Sequence, residues 1–418
     1  MVDLVANGIA TAAPTIGSPA IGQVHVLLAL GIVTDTPEVG SPKLTEYWHW
    51  MFRPMPDSTE VLSWMTDVMR SDTSEMRVSL RPARSSMSYD HNLRDQRNAR
   101  AEAVLRAAPR SLFLVPVWPE ASTVGAVLGT DTVFAVDTNA DYRAGNVVVI
   151  WGGCDDYVIR EVASVGAGSI TLASQVGQAF TGALVMPLRP CFMADSGLRA
   201  DRLWERGVSA LGVTFTSTQE PPAGATPFVQ YLGLDLVSKC GTVEPLAASF
   251  VPSTAFIDSG LGPVALEAQR DPIDARYTMI WRVRGLTKLW ERRLWLHLIR
   301  GRDRAFWLTD WSKDVTLQAA ILPAATSMLI APILPRVADY VGRHVMIDDG
   351  TETPRQITAA VESGVNHQLT IAAMGRTVPT TARVGFMRKV RLDSDAVEFA
   401  HSHGFYSATR LPLIEVPE

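Results

Sequence analysis

The second half of this chain repeats the apolar pattern and the turns of the first half, and no other feature constrains the fold as strongly. FLVPVW at 113–118 recurs as FWLTDW at 306–311, and ITLA at 170–173 recurs as LTIA at 369–372. ALVMPLR at 183–189 recurs as ARVGFMR at 382–388. The offset grows only from 193 residues between Trp118 and Trp311 to 199 residues between Arg189 and Arg388. Small insertions in turns produce such a drift, so the sequence predicts two tandem copies of one module.

Each copy is predicted to contain a small β-barrel or sandwich. In the first copy, short apolar segments separated by Gly and Asp predict strands over 132–136, 146–151, 157–165, 169–173 and 183–188, a spacing typical of such folds. The second copy covers 327–388. Alternation predicts a strand over 75–84, and helices are predicted over 61–69, 94–110 and 286–298. The expected fold class is mainly β with a few helices (α+β).

The chain is predicted to divide at two places. Residues 1–47 form an Ala/Gly/Pro/Thr-rich arm in which GIATAAPTIGSPAI at 8–21 recurs with a period of 23 residues as GIVTDTPEVGSPKL at 31–44. Two copies of so short a unit bury no core, so the arm is expected to lie extended along the body or a neighbouring subunit. The first β-rich module spans 48–218, the breaker QEPPAGAT at 219–226 is a linker, and the second module spans 227–418.

Composition limits the function classes. With 47% hydrophobic and 19% charged residues the chain is globular, and a net charge of −5 argues against nucleic-acid recognition. No apolar stretch has the length of a membrane span, so none is predicted. Cys154, Cys191 and Cys240 form no CxxC pair and are expected to be buried small hydrophobes of a protein made in a reducing cytoplasm.

Candidates for chemistry were weighed against structural roles. The sequence contains no GxxxxGK[ST], GxGxxG, HExxH or GxSxG motif. The pairs Asp155–Asp156 and Asp348–Asp349 suit metal or acid–base chemistry but are also what tight turns use. His401 and His403 suit a metal pair on one strand face or a surface near a subunit contact. The charges of 291–304 are expected to form ion pairs at a helix surface or subunit seam. No catalytic residue, metal or cofactor is predicted, because the repeat copies a scaffold rather than a cluster of reactive groups.

Aromatic rings are the stronger clue to function. Tryptophan is enriched at interface anchors as well as in cores, and the chain has 11 tryptophans. Any single tryptophan is expected to lie in a core. Together they favour a protein that packs against copies of itself, with these predicted interface residues: Trp48, Trp50, Phe52, Trp118, Trp290, Trp295, Trp307 and Trp311.

The arm and two segments of the body, 302–311 and 391–399, resemble structural proteins of long-tailed bacteriophages. The tandem unit of the arm is similar to a short repeat of phage structural proteins. The body resembles tail-tip and baseplate proteins, including distal tail and minor tail proteins. It shares with them an aromatic segment, here RDRAFWLTDW at 302–311, a small β-module, and a closing strand, here RLDSDAVEF at 391–399.

The resemblance implies a virion structural protein at the tail tip, in a homotrimeric or homohexameric ring that joins the tail tube to the hub and fibres. A trimer of a duplicated subunit presents six similar modules, which matches a six-fold tube to a three-fold tip. The alternative is a host-receptor or glycan-binding module, because aromatic-rich β-domains also bind sugars. A cell-wall-degrading enzyme is the third reading.

Overall fold

A computed structural model describes residues 47–70, 74–107, 111–203, 208–238, 246–252, 254–258, 260, 265–268, 273–309, 311–402 and 406–416. The predicted arm lies outside these residues, apart from its last residue, Tyr47. The described part is mainly β with two α-helices, which confirms the predicted fold class. Its residues belong to one unit, Lys43–Glu418.

In its described residues the first half carries thirteen strands and one helix. The helix is α1 (Asp95–Ala107). The strands are β1 (Trp48–His49), β2 (Ser58–Arg70), β3 (Glu75–Arg94), β4 (Phe113–Pro116), β5 (Ser122–Thr123), β6 (Ala126–Val127), β7 (Val133–Ala135), β8 (Val147–Trp151), β9 (Tyr157–Gly166), β10 (Ser169–Leu172), β11 (Phe180–Thr181), β12 (Leu184–Leu203) and β13 (Val208–Ser217).

The second half carries fifteen strands and one helix within the described residues. The helix is α2 (Leu286–Ile299). The strands are β14 (Gln230–Tyr231), β15 (Leu234–Val237), β16 (Ala247–Val251), β17 (Thr254–Ile257), β18 (Ala265–Ala268), β19 (Asp274–Arg284), β20 (Ala305–Thr309), β21 (Ser327–Ile330), β22 (His344–Asp348), β23 (Glu352–Gln356), β24 (Ala359–Ser363), β25 (Asn366–Thr370), β26 (Arg383–Leu392), β27 (Ala396–Ser402) and β28 (Tyr406–Glu415).

Strands pair in the same order in both halves. In the first half β2 pairs with β3, β3 with β13, β13 with β12, and β12 with β4, all antiparallel, while β4 pairs in parallel with β1. In the second half β16 pairs with β19, β19 with β28, β28 with β26 and β27, and β26 with β20, while β20 pairs in parallel with β15. The single strand β12 is therefore the counterpart of the two strands β26 and β27.

One sheet runs through both halves, because β2 of the first half also pairs with β27 of the second half. Along this sheet the neighbours are β16, β19, β28, β27, β2, β3, β13 and the end of β12, and every pairing between them is antiparallel. The two halves are thus joined through backbone hydrogen bonds as well as through the connecting chain.

Each half also carries a smaller group of strands. In the chain this group lies between β4 and β12 in the first half and between β20 and β26 in the second half. In the first half β10 pairs with β7 and with β9, and β8 pairs with β9 and β12, around a core that includes Val148, Val162 and Ile170. In the second half β21, β24 and β25 form a sheet and β22 pairs with β23 and β26, around a core that includes Val345, Ile357 and Leu369. The segments predicted as strands in the first copy contain β7, β8, β9 and β10 to within one residue at each end.

One predicted helix is wrong. Residues 61–69 belong to β2, where Glu60, Leu62, Trp64 and Thr66 are buried and alternate with less buried residues, a period of two rather than 3.6. Polar Glu60 and Thr66 within the buried series hide the alternation in the sequence. Strand β3 continues ten residues beyond its predicted end at residue 84, whereas helix α1 begins within one residue of its predicted start at 94.

The predicted linker packs against the second half. The Ala225 amide donates to the Leu294 carbonyl of α2 at 3.1 Å. A Cβ at Gly224 would lie 2.5 Å from the Leu298 backbone nitrogen. Only glycine therefore permits this close approach of the connecting chain to the helix.

Candidate functional site

A buried ionic cluster lies at the seam between the halves. It contains three carboxylates, two guanidinium groups and one imidazole, each on a residue that is less than 10% exposed. The first half supplies Glu60 on β2, Glu120 at the end of a short 3-10 helix (Trp118–Glu120), Asp141 in a loop, and Arg189 on β12; the second half supplies Arg293 on α2 and His401 on β27. We call these six residues the seam cluster.

Two arginines connect the three carboxylates. Arg293 lies 2.5 Å from Glu60 Oε2 through Nη2 and also pairs with Glu120. Arg189 lies 3.3 Å from Glu60, 3.5 Å from Glu120 and 3.4 Å from Asp141. The Asp141 amide donates to Glu120 Oε2 at 2.8 Å. Each carboxylate therefore faces at least one cation, the condition under which buried charge is tolerated.

The remaining seam contacts bring in the second half. His401 Nε2 lies 3.5 Å from Glu60 Oε2, and its Nδ1 lies 2.8 Å from Ser407 Oγ. Near the cluster, His297 of α2 lines the same small cavity as Glu60 and Arg293. Burial lowers the pKa of His297 to about 4, so this imidazole is neutral at pH 7.

The electrostatics of the seam cluster favour the ionised form of Glu60. Burial by itself raises the pKa of Glu60, but the charge of Arg293, the hydrogen bond of His401 and the charge of Arg189 outweigh it and hold this pKa well below its ordinary value. A general acid needs the opposite shift. The adjoining cavity holds about 20 Å³, room for one water molecule rather than a substrate. The arrangement therefore suits a lock between the halves.

The pKa of Glu60 predicts how stability depends on pH. A carboxyl whose pKa is lower in the folded chain stabilises the fold above its unfolded pKa, about 4.3 for glutamate. We expect the free energy of unfolding to fall as the pH drops below about 4 toward the folded pKa of Glu60. Urea denaturation from pH 7 to pH 3 measures this, with Glu60→Gln as the comparison. A pH slope that is the same in both proteins would contradict the prediction.

The predicted acid pairs lie in turns. Asp155 and Asp156 lie between β8 and β9, where Asp155 pairs with Arg100 at the surface. Asp348 ends β22 and its Oδ1 accepts from the Gly350 amide at 3.0 Å. Asp349 binds Arg376 through two nitrogens at 2.8 and 2.9 Å. In the part of the chain that the structure describes, no group of three or more His, Cys, Asp and Glu residues is placed to hold a metal.

Two charged predictions need correction. His401, expected at a surface, is 3% exposed and belongs to the seam cluster, whereas His403 lies outside the described residues. Arg293, expected in a surface ion pair or at a subunit seam, is 2% exposed and belongs to the seam between the halves of one chain. Cys191 is buried and Cys154 half-buried, and Cys240 lies outside the described residues.

Most of the predicted interface rings lie in the core of the single chain. Trp50 and Trp295 are fully buried, Phe52 is 5% exposed and Trp307 is 3% exposed, so these four rings have no free face for another subunit. This corrects their predicted role. Trp118, Trp290 and Trp311 are half-buried, and Trp48 is 41% exposed. Among the eight, Trp48 offers the largest free fraction.

An apolar surface was missed by sequence reasoning. Where β2 and β3 pair only with each other, five large apolar side chains are exposed together with Asp67, namely Met65, Met69, Met76, Val78 and Leu80, each between 38% and 61% exposed. We call them the hairpin surface. The opposite face is charged and turned inward: Arg391, 2% exposed, binds Glu75 at 2.5 and 3.0 Å, and Glu75 also binds Arg70 at 2.6 Å. Sequence alternation revealed two faces here but not which one is buried.

Both ends of the continuous sheet have a free edge within the described residues. Strand β16 pairs with β19 alone, and all five of its residues are exposed. Residues 198–203 of β12 pair with β13 alone, and Arg199, Ala200 and Asp201 are exposed. Unpaired edges are sites at which another strand can add.

The chain was also compared with known proteins. No protein-family model matches it, and no curated protein is similar to it in sequence. Neither of the helices that the structure describes is long and apolar enough to cross a membrane.

Proposed function

We propose that this protein is a structural component of a bacteriophage tail tip, in a ring that joins the tail tube to the hub and fibres. The observation that carries the proposal is the pair of halves with the same order of strand pairings, joined in one sheet. Such a chain brings two similar modules into a ring at once. The resemblance of 302–311 and of the arm to phage tail proteins gives the setting.

Two features of the chain, one exposed and one buried, support an assembly role. The hairpin surface exposes five large apolar side chains on the paired ends of β2 and β3, and exposed apolar surface of this kind marks contact sites. The seam cluster holds the two halves in a fixed relation through buried ion pairs. A building block of a symmetric ring needs this fixed geometry, because its contacts must repeat around the axis.

The test is gold-labelled antibody staining of phage particles that carry this protein. We expect label confined to the end of the tail away from the head. Label on outlying fibres would favour the receptor- or glycan-binding alternative. Protein found free in lysates with none on particles would contradict the proposal and favour the wall-degrading enzyme.

The arm gives a second prediction. Deletion of residues 1–45 is expected to leave a folded, soluble body, because the described cores use residues from Trp50 onward. Incorporation into particles should fall because the arm is proposed to bind a neighbouring subunit. Circular dichroism and particle labelling measure the two effects. A truncated chain that misfolds would show that the arm belongs to the core.

A further inference from the structure

We propose that β16 of one copy of this chain adds, antiparallel, to residues 198–203 of β12 in the next copy, so that three copies close one continuous sheet into a ring. This inference rests on the proposed function for the closure of the ring. It deepens that function by naming the partner, a second copy, and the register of the contact.

The two free edges are counterparts of two strands that already pair within the chain. Strand β2 pairs with β3 as β16 pairs with β19, so β16 is the counterpart of β2. Residues 198–203 pair with β13 as β27 pairs with β28, so they are the counterpart of β27. Because β2 and β27 pair with each other inside the chain, the repeat predicts the same pairing for their counterparts. In one chain these edges end the sheet, so the partner is another copy.

The ladders fix the register of the contact. Thr59 pairs with Ser88 and Ala400, and the equivalent ladder positions place Ala247 at Thr59 and Asp201 at Ala400. A residue with a left-handed backbone conformation marks the same point in both halves: Asp95, the first residue of α1, has φ 46°, and Gly285, immediately before α2, has φ 82°. The proposed contact therefore pairs Ala247 of one copy with Asp201 of the next, and Ala248 with Ala200.

Burial shows what the contact would cover. Leu62, which pairs with Val397 at the internal junction, is 1% exposed. Its counterpart Phe250 is 64% exposed, although it pairs with the buried Ala275 and so lies on the inward face of the sheet. A phenylalanine on an inward face is expected to be covered. An added strand opposite Phe250 would cover this ring as β27 covers Leu62.

The geometry of the sheet is compatible with a ring. Each copy contributes eight consecutive antiparallel strands with a free edge at either end. A head-to-tail contact between unlike edges either closes a ring or extends as a filament. Three copies supply six similar halves, and a closed sheet of that many strands surrounds an open channel rather than a packed core.

The internal junction between β2 and β27 and the proposed junction between copies differ in chemistry. Substitutions can therefore disturb the contact between copies without disturbing the fold. At the internal junction Glu60 receives two guanidinium groups, whereas its counterpart on β16 is the small, exposed Ala248. The contact between copies would therefore depend on backbone hydrogen bonds and on Phe250, without a buried ionic cluster. Substitutions on the exposed β16 edge are expected to affect assembly and leave the fold intact.

Cysteine cross-linking of the full-length chain tests the register. The double variant Ala247→Cys/Asp201→Cys is oxidised and separated on a non-reducing gel. We expect covalent species of two and three chains, ending at three. A mixture of the two single variants should stop at two chains. The pair Thr59→Cys/Ala400→Cys, the same positions at the internal junction, should close within one chain and shows that the geometry permits a disulfide.

Three results would overturn the inference. The first is that the Ala247→Cys/Asp201→Cys variant gives no covalent product beyond that of the parent chain, while the Thr59→Cys/Ala400→Cys control forms its disulfide. The second is equal cross-linking by Ala248→Cys/Asp201→Cys, whose side chains should point to opposite faces of the sheet. The third is a series of products that continues beyond three chains. If the cross-link fails but gold label is found at the tail tip, the inference is wrong and the proposed function stands. If three chains close a ring but the protein is absent from particles, the inference stands and the proposed function is wrong.

Discussion

Replacement of Arg189 by methionine is expected to lower the free energy of unfolding by about 3–5 kcal/mol, because it leaves the buried carboxylates Glu60, Glu120 and Asp141 short of a cation. Removing one partner of a buried ion pair exposes the cost of burying the others. Arg189 has a side chain only 7% exposed and contacts all three carboxylates, so water cannot take its place. Urea denaturation at pH 7 measures the loss.

The repeat supplies a matched control for this experiment. Arg388 is the counterpart of Arg189, but it is half-buried and its guanidinium carbon lies 5.9 Å from the centroid of the Phe386 ring. Replacement of Arg388 by methionine is expected to cost about 1 kcal/mol or less. Equal losses in the two variants would show that the seam cluster has no special part in holding the halves together.

Replacement of Trp295 by alanine is expected to cost about 3–5 kcal/mol, the range for a fully buried large ring. Trp295 packs edge to face against Phe306 and Phe228 at 5.0 and 5.2 Å between centroids, and its indole nitrogen donates to Asp235 at 2.9 Å. The variant leaves both a cavity and an unpaired buried carboxylate oxygen. Thermal denaturation of the full-length chain measures the loss.

Trp48→Ala is the comparison for that variant. Trp48 is 41% exposed, so its removal should cost about 1 kcal/mol or less of chain stability. If Trp48 contacts a neighbouring subunit, its removal should instead reduce the mass of the assembly. A large loss of chain stability in Trp48→Ala, equal to that of Trp295→Ala, would contradict the division of these rings into core and surface.

Local pattern made the small strands of each half predictable. Apolar alternation closed by Gly and Asp, as from Val147 to Trp151 and from Ser169 to Leu172, is readable from neighbouring residues alone. Helix α2 was predicted at its observed start, and its end one residue early, because Leu289 and Leu296 recur at helical spacing. The pairing of β2 with β27 joins residues more than 300 positions apart. No local pattern reports that pairing.

The seam cluster could not be predicted from the sequence for the same reason. Its six residues come from six separate elements, and their charges acquire meaning only when the fold brings them together. A signal was present at the two arginines. Arg189 follows the apolar run ALVMPL, and Arg293 occupies the apolar face of a helix between Leu289 and Leu296. A charge at such a core position indicates a buried partner elsewhere in the chain.

The most direct test of the central claim is the mass of the purified full-length chain in solution, measured by native mass spectrometry at several concentrations. We expect an assembly of three chains, each of 45.5 kDa, which Phe250→Asp converts to single chains of unchanged fold. A chain that stays monomeric at every concentration, or a Phe250→Asp variant that assembles as the parent does, would contradict it.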